Sequence, residues 1–336
     1  MKQIITLLGL AVFLSSLVFA VGSITRDRTK YKNDFTRIRP AHAVDLISVA
    51  KTEARRFSLA GFVGNCLYLK DRSNRGGLIE VGPNQDTAFI PFDIPSELEV
   101  AIDSPYFYLQ NGNSGTWQRG NVENWCVDTV FHNLPIFTAI QPVSKNSAVL
   151  RVINMQKRKN VFLKSTDLHS QKDILQKQVD GILCTDGYLQ YSKEYHRLIY
   201  TYRYRNQFLI LDSMLNIQLT GKTIDTTSIA RISVSETDDK ITMSKPPFVV
   251  NKGTCTDGKY LFVHSNLVAK NESVKESSNH STIDVYNILD GSYLFSFYID
   301  HIEEEKMQNF QVKDTALIAM FNTHIARYGL PSKYLP

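Results

Sequence analysis

The stretch Ser281–Asp300, STIDVYNILDGSYLFSFYID, decides the fold class. Two runs of strand-forming residues flank Asp290-Gly291, and Asp-Gly between such runs is a strong signal for a tight β-hairpin. Another run, DGKYLFVHSN at Asp257–Asn266, lies just before it. This part of the chain therefore predicts a strand, a polar loop and then a hairpin.

The same order of strands and turns recurs along the chain. His196–Asp225 has it most clearly, with predicted strands at Leu198–Tyr204, Gln207–Leu211 and Leu215–Leu219. Weaker copies begin near Gly64, Ser104, Asn146 and Val312. About six units at spacings of roughly 40 to 60 residues are typical of the blades of a β-propeller. A β-sandwich followed by a second β domain is the alternative.

These units resemble the exported six-bladed β-propellers of the TolB-like/NHL-like group, which are common in Bacteroidetes envelopes. The resemblance covers most of residues 41–330 and rests on the strands that follow Asp-Gly and on Ile283–Gly291. It implies an all-β propeller with its ligand at one mouth of the axis, where loops converge. The stretches with the best helical spacing, Pro40–Phe57 and Ser165–Val179, are short enough to be connectors.

The N-terminus predicts a signal peptide or membrane anchor over residues 1–24. Lys2 is followed by an uncharged run, Ile4–Ile24, which matches the apolar region of an export signal. Val18 and Ala20 permit cleavage after Ala20, and the uncleaved run is long enough to span a bilayer. We expect an exported protein, periplasmic or tethered to the membrane at the cell envelope.

A basic linker, residues 25–40, follows, and then a propeller at 41–330 and a tail at 331–336. If residues 1–24 stayed uncleaved, the positive charges of the linker would favour a cytoplasmic body. The formal net charge of +5 is modest, and no clustered basic stripe indicates a nucleic-acid partner.

The four cysteines are Cys66, Cys126, Cys184 and Cys255, and the last two each begin a Cys-Thr-Asp-Gly tetrapeptide. No two cysteines have the close spacing of zinc ligands. Equivalent positions in neighbouring blades would lie roughly 10 Å apart, too far for a disulfide. We therefore expect Cys184 and Cys255 to be buried free thiols that mark equivalent positions in adjacent blades.

No catalytic residue, metal ligand or cofactor site is predicted. The chain has no His-Glu-x-x-His pair, no Gly-x-Ser-x-Gly elbow and no glycine-rich phosphate loop. His264 is interpreted as a strand-end residue satisfied by hydrogen bonds. Tyr200–Arg205 predicts tyrosines packed on a neighbouring blade, with arginine heads exposed. Val268–Ser281 is polar and predicts a mobile loop.

The candidate binding residues are Trp117, Arg119 and Trp125, in the Gly- and Asn-rich loop Gln110–Trp125. Exposed tryptophan and arginine are typical of binding hot spots. The alternative is that both tryptophans fold back and cap the sheet edge.

The function expected from these features is a non-enzymatic envelope propeller that acts as a binding or assembly module. Its partner would be an unidentified envelope protein or a small ligand. The alternative is a lactonase-like propeller hydrolase with a metal on the axis. A structural subunit of an envelope complex is a third class, and it predicts a large apolar patch on an outer blade face.

Overall fold

The computed structural model describes residues 15–16, 32–52, 57–72, 76–84, 86–237, 240–331 and 333–335. Within them, six four-stranded antiparallel sheets form the blades of a propeller. The predicted signal or anchor segment lies outside the described residues apart from Ser15 and Ser16. In the part that is described, no helix is long and apolar enough to cross a membrane.

The strands of the first three blades follow one another along the chain. Two strands come before them, β1 (Lys32–Asn33) and β2 (Asp45–Lys51). Blade 1 contains β3 (Phe57–Val63), β4 (Cys66–Asp71), β5 (Leu78–Val81) and β6 (Thr87–Ile90). Blade 2 contains β7 (Glu99–Asp103), β8 (Tyr106–Asn111), β9 (Thr116–Asn121) and β10 (Cys126–Phe131). Blade 3 contains β11 (Ala139–Ser144), β12 (Ser147–Asn154), β13 (Lys159–Lys164) and β14 (Asp167–Lys172).

The remaining blades carry two small additions. Blade 4 contains β15 (Gly187–Ser192), β16 (Arg197–Tyr202), β17 (Phe208–Leu211) and β18 (Ile217–Gly221). A hairpin of β19 (Val234–Glu236) and β20 (Ile241–Met243) follows. Blade 5 contains β21 (Asn251–Asp257), β22 (Tyr260–Ser265), β24 (His280–Asn287) and β25 (Tyr293–Asp300). Between β22 and β24 lie β23 (Val268–Ala269) and a 3₁₀ turn (Glu276–Ser278), which are outside the sheet of the blade. Blade 6 contains β26 (Asn309–Lys313), β27 (Ala316–Met320), β28 (His324–Gly329) and β2.

The middle strands are apolar because neighbouring blades cover both of their faces. All residues of β17 and β22 are buried, whereas the rim strands β14 and β18 are polar and mostly exposed. Side chains of adjacent blades share core clusters, such as Phe162 with Tyr200 between blades 3 and 4. Phe262 and Phe310 do the same between blades 5 and 6. Burial between blades therefore holds the ring together.

The ring is closed by β2, which joins the two ends of the chain in one sheet. It pairs antiparallel with β28, from Asp45 opposite Gly329 to Lys51 opposite His324. This strand lies inside Pro40–Phe57, one of the two stretches with helical spacing. The other, Ser165–Val179, contains β14. Both are rim strands of their blades, and the sheet partner overrides local helical preference.

Residues 32–40, which the sequence assigns to the basic linker, lie along blade 5. β1 pairs with β23, and Arg37 is only 2% exposed. Its Nε lies 2.7 Å from Oδ1 of Asp284, and its Nη1 lies 2.6 Å from Oε2 of Glu272. Burial alone would lower the pKa of Arg37, but the two carboxylates raise it, so the guanidinium stays charged.

Candidate functional site

The first strands of all six blades surround a cavity of about 550 Å³ on the propeller axis. Each blade contributes small or polar side chains to the wall. From blade 1 to blade 6, these include Ala60, Ala101, Gln141, Gln190, Thr254 and Gln311. Three glutamines and a threonine make this wall rich in hydrogen-bonding groups. The cavity therefore favours a polar ligand.

Some of these polar groups are satisfied within the wall, and others are not. The side-chain amides of Gln141 and Gln190 donate to Pro142 O and Thr254 O, each at 3.1 Å. Thr254 is 8% exposed, and among the described residues neither its Oγ1 nor Oε1 of Gln311 has a hydrogen-bond partner. Both oxygens are themselves buried, so they lie behind the surface of the cavity and a ligand would reach them only if the wall moved.

Charged side chains line the cavity where the first strand of a blade turns into the second. Asp103 of blade 2 forms an ion pair with Lys193 of blade 4. Nζ of Lys313 donates to Gly64 O at 2.7 Å. Both lysines are thus held by groups of the protein itself.

Asp257 lies at the same end, where the turns of blades 4, 5 and 6 meet. Its Oδ2 accepts a hydrogen bond from the backbone N–H of Asp314 at 2.8 Å. The Glu194 carboxylate lies close to Gly258, the residue after Asp257. Its Oε2 would be 3.4 Å from a β-carbon built on that glycine. Burial, with added repulsion from Asp314 and Glu194, raises the pKa of Asp257 to about 6. The hydrogen bond from Asp314 N opposes this shift, and the charge of Lys313 opposes it to a smaller extent.

Basic groups lie at the other end of β21. Burial and the nearby Lys306 lower the pKa of Lys252 to about 8, although part of the Lys252 side chain contacts solvent. His264 is 3% exposed, and its Nε2 has no hydrogen-bond partner within the described chain. Burial, Lys252 and His301 lower the pKa of His264 well below its ordinary value, so this histidine is neutral. The expectation of a hydrogen-bonded His264 is therefore wrong for Nε2.

The three predicted binding residues lie at blade interfaces. The predicted loop Gln110–Trp125 is mostly β9 and its two turns. Trp117 is fully buried between Tyr108 and Phe131, with ring centroids at 5.6 and 3.8 Å, and shares a cluster with Ala148 of blade 3.

Trp125 and Arg119 also join blade 2 to its neighbours. The Trp125 ring packs against Tyr68 of blade 1 at 5.2 Å. Arg119 pairs with Asp128 at 2.8 Å, and its Nη1 donates to Lys145 O of blade 3 at 3.1 Å. The sequence of Gln110–Trp125 is polar and rich in glycine, which is typical of a loop, because the two turns on either side of β9 are only a short strand apart. A binding role for Trp117, Arg119 and Trp125 stays a prediction.

Cys184 and Cys255 are buried free thiols, as predicted, and Cys66 and Cys126 are also free. The two tetrapeptides do not occupy equivalent positions, however. Cys184–Gly187 leads into β15, the first strand of blade 4, whereas Cys255–Gly258 ends β21, the first strand of blade 5. Asp257-Gly258 lies in the turn that follows β21, where Gly258 has a φ of +52°, whereas Asp186-Gly187 lies just after a turn at Cys184-Thr185 and begins β15. The same tetrapeptide therefore serves different local structures.

Two further expectations need correction. The tyrosines of Tyr200–Arg205 are buried as predicted, but Arg205 is 0% exposed, with its guanidinium 3.6 Å from the Tyr202 ring centroid. Its head is therefore not in solvent. The predicted mobile loop Val268–Ser281 begins with β23, and its Glu272 is buried against Arg37.

The sequence reasoning missed Glu194, Asp257 and Asp314 as candidate site residues. The only signal was the repeated tetrapeptide, which contains Asp257. Glu194 and Asp314 stand in turns without any motif, and only the packing of three blades brings them together.

Comparison with known proteins supports the fold. No protein-family model and no curated protein matches the sequence. A member of the DUF4221 family from Bacteroides vulgatus has a similar structure, with 12% identity and a TM-score of 0.52 over 86% of this chain and 98% of that one.

Two other solved structures are more distant. BamB from Moraxella catarrhalis is 9% identical, with a TM-score of 0.42 over 85% of this chain and 99% of its own. A streptogramin B lyase is 8% identical, with a TM-score of 0.49 over 86% of this chain and 97% of its own. At such low identity, the comparisons establish the fold alone: the chain is an all-β, six-bladed propeller.

Proposed function

We propose that this protein is a non-enzymatic binding module of the cell envelope that holds a ligand in its axial cavity. The observation that carries the proposal is the cavity itself. Its volume of about 550 Å³ lies within the range of about 300–1,000 Å³ typical of small-molecule sites. Its wall combines amide and hydroxyl side chains with charged turns at one end.

The wall is also rigid enough to orient a ligand. The lining residues lie on the first strands, which pair with the second strands of their blades and contact neighbouring first strands. Sites built on packed strands hold their groups more precisely than sites on loops. A ligand would therefore meet hydrogen-bonding groups that are already in place.

No observation favours the hydrolase alternative. A lactonase-like axial metal requires several converging ligands, and among the described residues no three His, Cys, Asp or Glu side chains could hold one. The envelope location is supported by residues 1–24 of the sequence, which have the features of an export signal or anchor. A TolB-like/NHL-like relationship would agree with it.

The test is retention of small molecules by the purified full chain. The protein is incubated with a metabolite extract and dialysed, and retained compounds are identified by mass spectrometry after denaturation. We expect at least one compound to be retained by the wild type and by the control Val127→Trp, on the outer strand β10, but lost by Gln141→Trp. Circular dichroism and melting verify that both variants fold. An identical set of compounds in all three proteins would contradict the proposal.

A further inference from the structure

The two ends of the propeller axis are built differently. In blades 1 to 5, the turns after the first and third strands lie at one end, where several of them line the axial cavity. The connections to the next blade lie at the opposite end. There, residues 173–186 join blade 3 to blade 4, and the connection from blade 4 to blade 5 is described over residues 222–237 and 240–250. We call these connections, together with residues 266–279 of blade 5, the base.

The base and the N-terminal segment pack together. Phe35, Val250 and Leu267 are buried in one cluster, and Ile224 and Phe248 pack against it. β1 pairs with β23 in the same place. The N-terminal segment, the connection between blades 4 and 5 and the loop of blade 5 therefore share one continuous surface.

This surface carries an excess of positive charge. Three carboxylates are paired with other basic residues, as Asp34–Lys270, Asp173–Lys159 and Glu236–Arg158. Glu276 and Asp300 are exposed without an ion pair in the described chain. Against these two stand six exposed basic side chains that form no ion pair with a described residue, namely Lys32, Lys177, Lys222, Arg231, Lys245 and Lys275. They come from distant parts of the chain, so the sequence shows no basic stripe.

Two apolar side chains are exposed beside these charges. Val179 is 45% exposed and Ile229 is 61% exposed. The side chain of Gln178 donates to Ser228 O at 2.9 Å and accepts from Ala230 N at 2.8 Å, so the two apolar side chains are near neighbours. Exposed apolar groups next to lysine and arginine are typical of surfaces that lie in the interface of a bilayer.

The chain enters the fold at the base. β1 begins at Lys32, and the apolar run that predicts a signal or anchor ends at Ile24. The residues between these two points span at most about 30 Å even if fully extended. Their sequence, TRDRTKY, is itself basic. If the apolar run lies in a bilayer, the base is the end of the propeller that is held next to it.

We propose that the base binds the surface of a lipid bilayer with anionic head groups, so that the axial cavity opens away from the bilayer. The inference rests on the envelope location in the proposed function and adds a partner and an orientation to it. Lysine and arginine near an anionic surface attract the head groups. Val179 and Ile229 enter the interface, and a ligand reaches the cavity from the aqueous side.

The test is quenching of a fluorophore on the purified full chain by vesicles whose head groups carry a nitroxide. In a Cys126→Ser background, Ser228→Cys places the fluorophore at the base, and Ser213→Cys places it in the turn after the third strand of the same blade. The two ends of a blade lie roughly 17–20 Å apart, the length of a strand. In vesicles that contain phosphatidylglycerol, we therefore expect quenching about 3-fold stronger at position 228 than at position 213. High salt, or phosphatidylcholine alone, should reduce this difference.

A charge variant tests the lysines and arginine directly. Lys222→Gln, Arg231→Gln and Lys245→Gln together should weaken the contact about 100-fold, because each basic side chain near an anionic surface contributes roughly 5-fold. Quenching at position 228 should then fall to its value in phosphatidylcholine. The matched control removes three lysines from the opposite end and should leave the quenching unchanged; it carries Lys164→Gln, Lys259→Gln and Lys333→Gln. Circular dichroism verifies that both variants fold.

Equal quenching at positions 228 and 213 would show that the base does not face the bilayer, and the inference would be wrong. Quenching at position 228 that ignores lipid charge, or that survives the three substitutions at the base, would overturn it as well. In these cases the proposed function stands if compounds are still retained by the wild type and lost by Gln141→Trp. If the full chain does not float with vesicles of either composition, the inference and the envelope location both fail.

Discussion

Replacing Arg37 with alanine removes the cation of a buried cluster, and we expect this to lower the free energy of unfolding by about 3–5 kcal/mol. The guanidinium donates to Asp284, Glu272, Leu267 O and Ser265 Oγ. The variant leaves the Asp284 and Glu272 carboxylates buried without a positive partner. At about 1.4 kcal/mol per tenfold change, this loss reduces the ratio of folded to unfolded protein by roughly 150-fold to 4,000-fold.

The assay is equilibrium unfolding in urea at pH 7.5, followed by tryptophan fluorescence and circular dichroism. Arg39→Ala is the matched control, because Arg39 is exposed and its guanidinium lies over the Tyr298 ring, 4.7 Å from the centroid. A contact of this kind contributes about 0.5–1 kcal/mol at an exposed site. The m-values should be unchanged, so that the midpoints report stability directly.

A second variant separates the loss of charge pairing from the loss of side-chain volume. Adding Glu272→Gln and Asp284→Asn to Arg37→Ala removes the uncompensated charges, and we expect it to recover part of the lost stability. If Arg37→Ala costs no more than Arg39→Ala, the N-terminal segment does not stabilise the propeller in the way its contacts indicate. If the triple variant is less stable than Arg37→Ala alone, the buried carboxylates are not the source of the cost.

Three further predictions concern titratable groups. Because the pKa of Asp257 is raised to about 6, its carboxyl group binds a proton more tightly in the folded state than in the unfolded chain between pH 4 and 6. Asp257→Asn should therefore raise the free energy of unfolding by about 1–2 kcal/mol at pH 7.5 and by much less at pH 4. Urea titration at the two pH values measures this difference. Because the pKa of His264 is lowered, the unfolded state binds a proton that the folded state does not bind, and the free energy of unfolding should fall as pH falls below about 6.5. A His264→Phe variant whose free energy of unfolding has the same dependence on pH as that of the wild type would contradict this. Burial raises the pKa of the Cys255 thiol, so a thiol reagent should modify the exposed Cys126 in the folded protein, but Cys184 and Cys255 only after unfolding, as peptide mass spectrometry would show.

The middle strands of the blades could be predicted from the sequence because their residue pattern is local. In Ser281–Asp300, apolar runs on both sides of Asp290-Gly291 predict the hairpin that β24 and β25 form. Gly291 has a φ of +77°, the conformation for which glycine is favoured in such a turn. β17 and β22 could also be predicted, because they are short apolar runs. They are apolar because neighbouring blades cover both of their faces.

The rim strands could not be predicted in this way, because one of their faces meets solvent. β2 and β14 have few buried residues, and they fall in the two stretches that have helical spacing. What makes β2 a strand is β28, which lies about 280 residues away in the chain and supplies the whole hydrogen-bond ladder. Local sequence contains no trace of that partner, so the closure of the ring was not predicted.

The packing of residues 32–40 on blade 5 could not be predicted either, because it depends on buried charge pairs with distant parts of the chain. A run of basic residues at the start of a chain is usually a solvated segment, and Arg39 is indeed exposed. Arg37 differs only through its partners, Glu272 and Asp284, which lie more than 200 residues later in sequence. Composition cannot distinguish these two arginines, because the difference lies in the surface that blade 5 presents to them.

The turn that carries Asp257 shows the same limit at the level of the candidate site. Asp257 belongs to the repeated tetrapeptide, yet its twin Asp186 pairs with Arg151 at 2.9 Å and carries no unpaired charge. The two aspartates share their neighbours in sequence but not their turn, since one comes before a first strand and the other ends one. Glu194 and Asp314 reach Asp257 only because three successive blades place the same turn at the same end of the axis. In a propeller, then, a repeated motif identifies strands and turns, while the site is determined by which turn of each blade carries the charge.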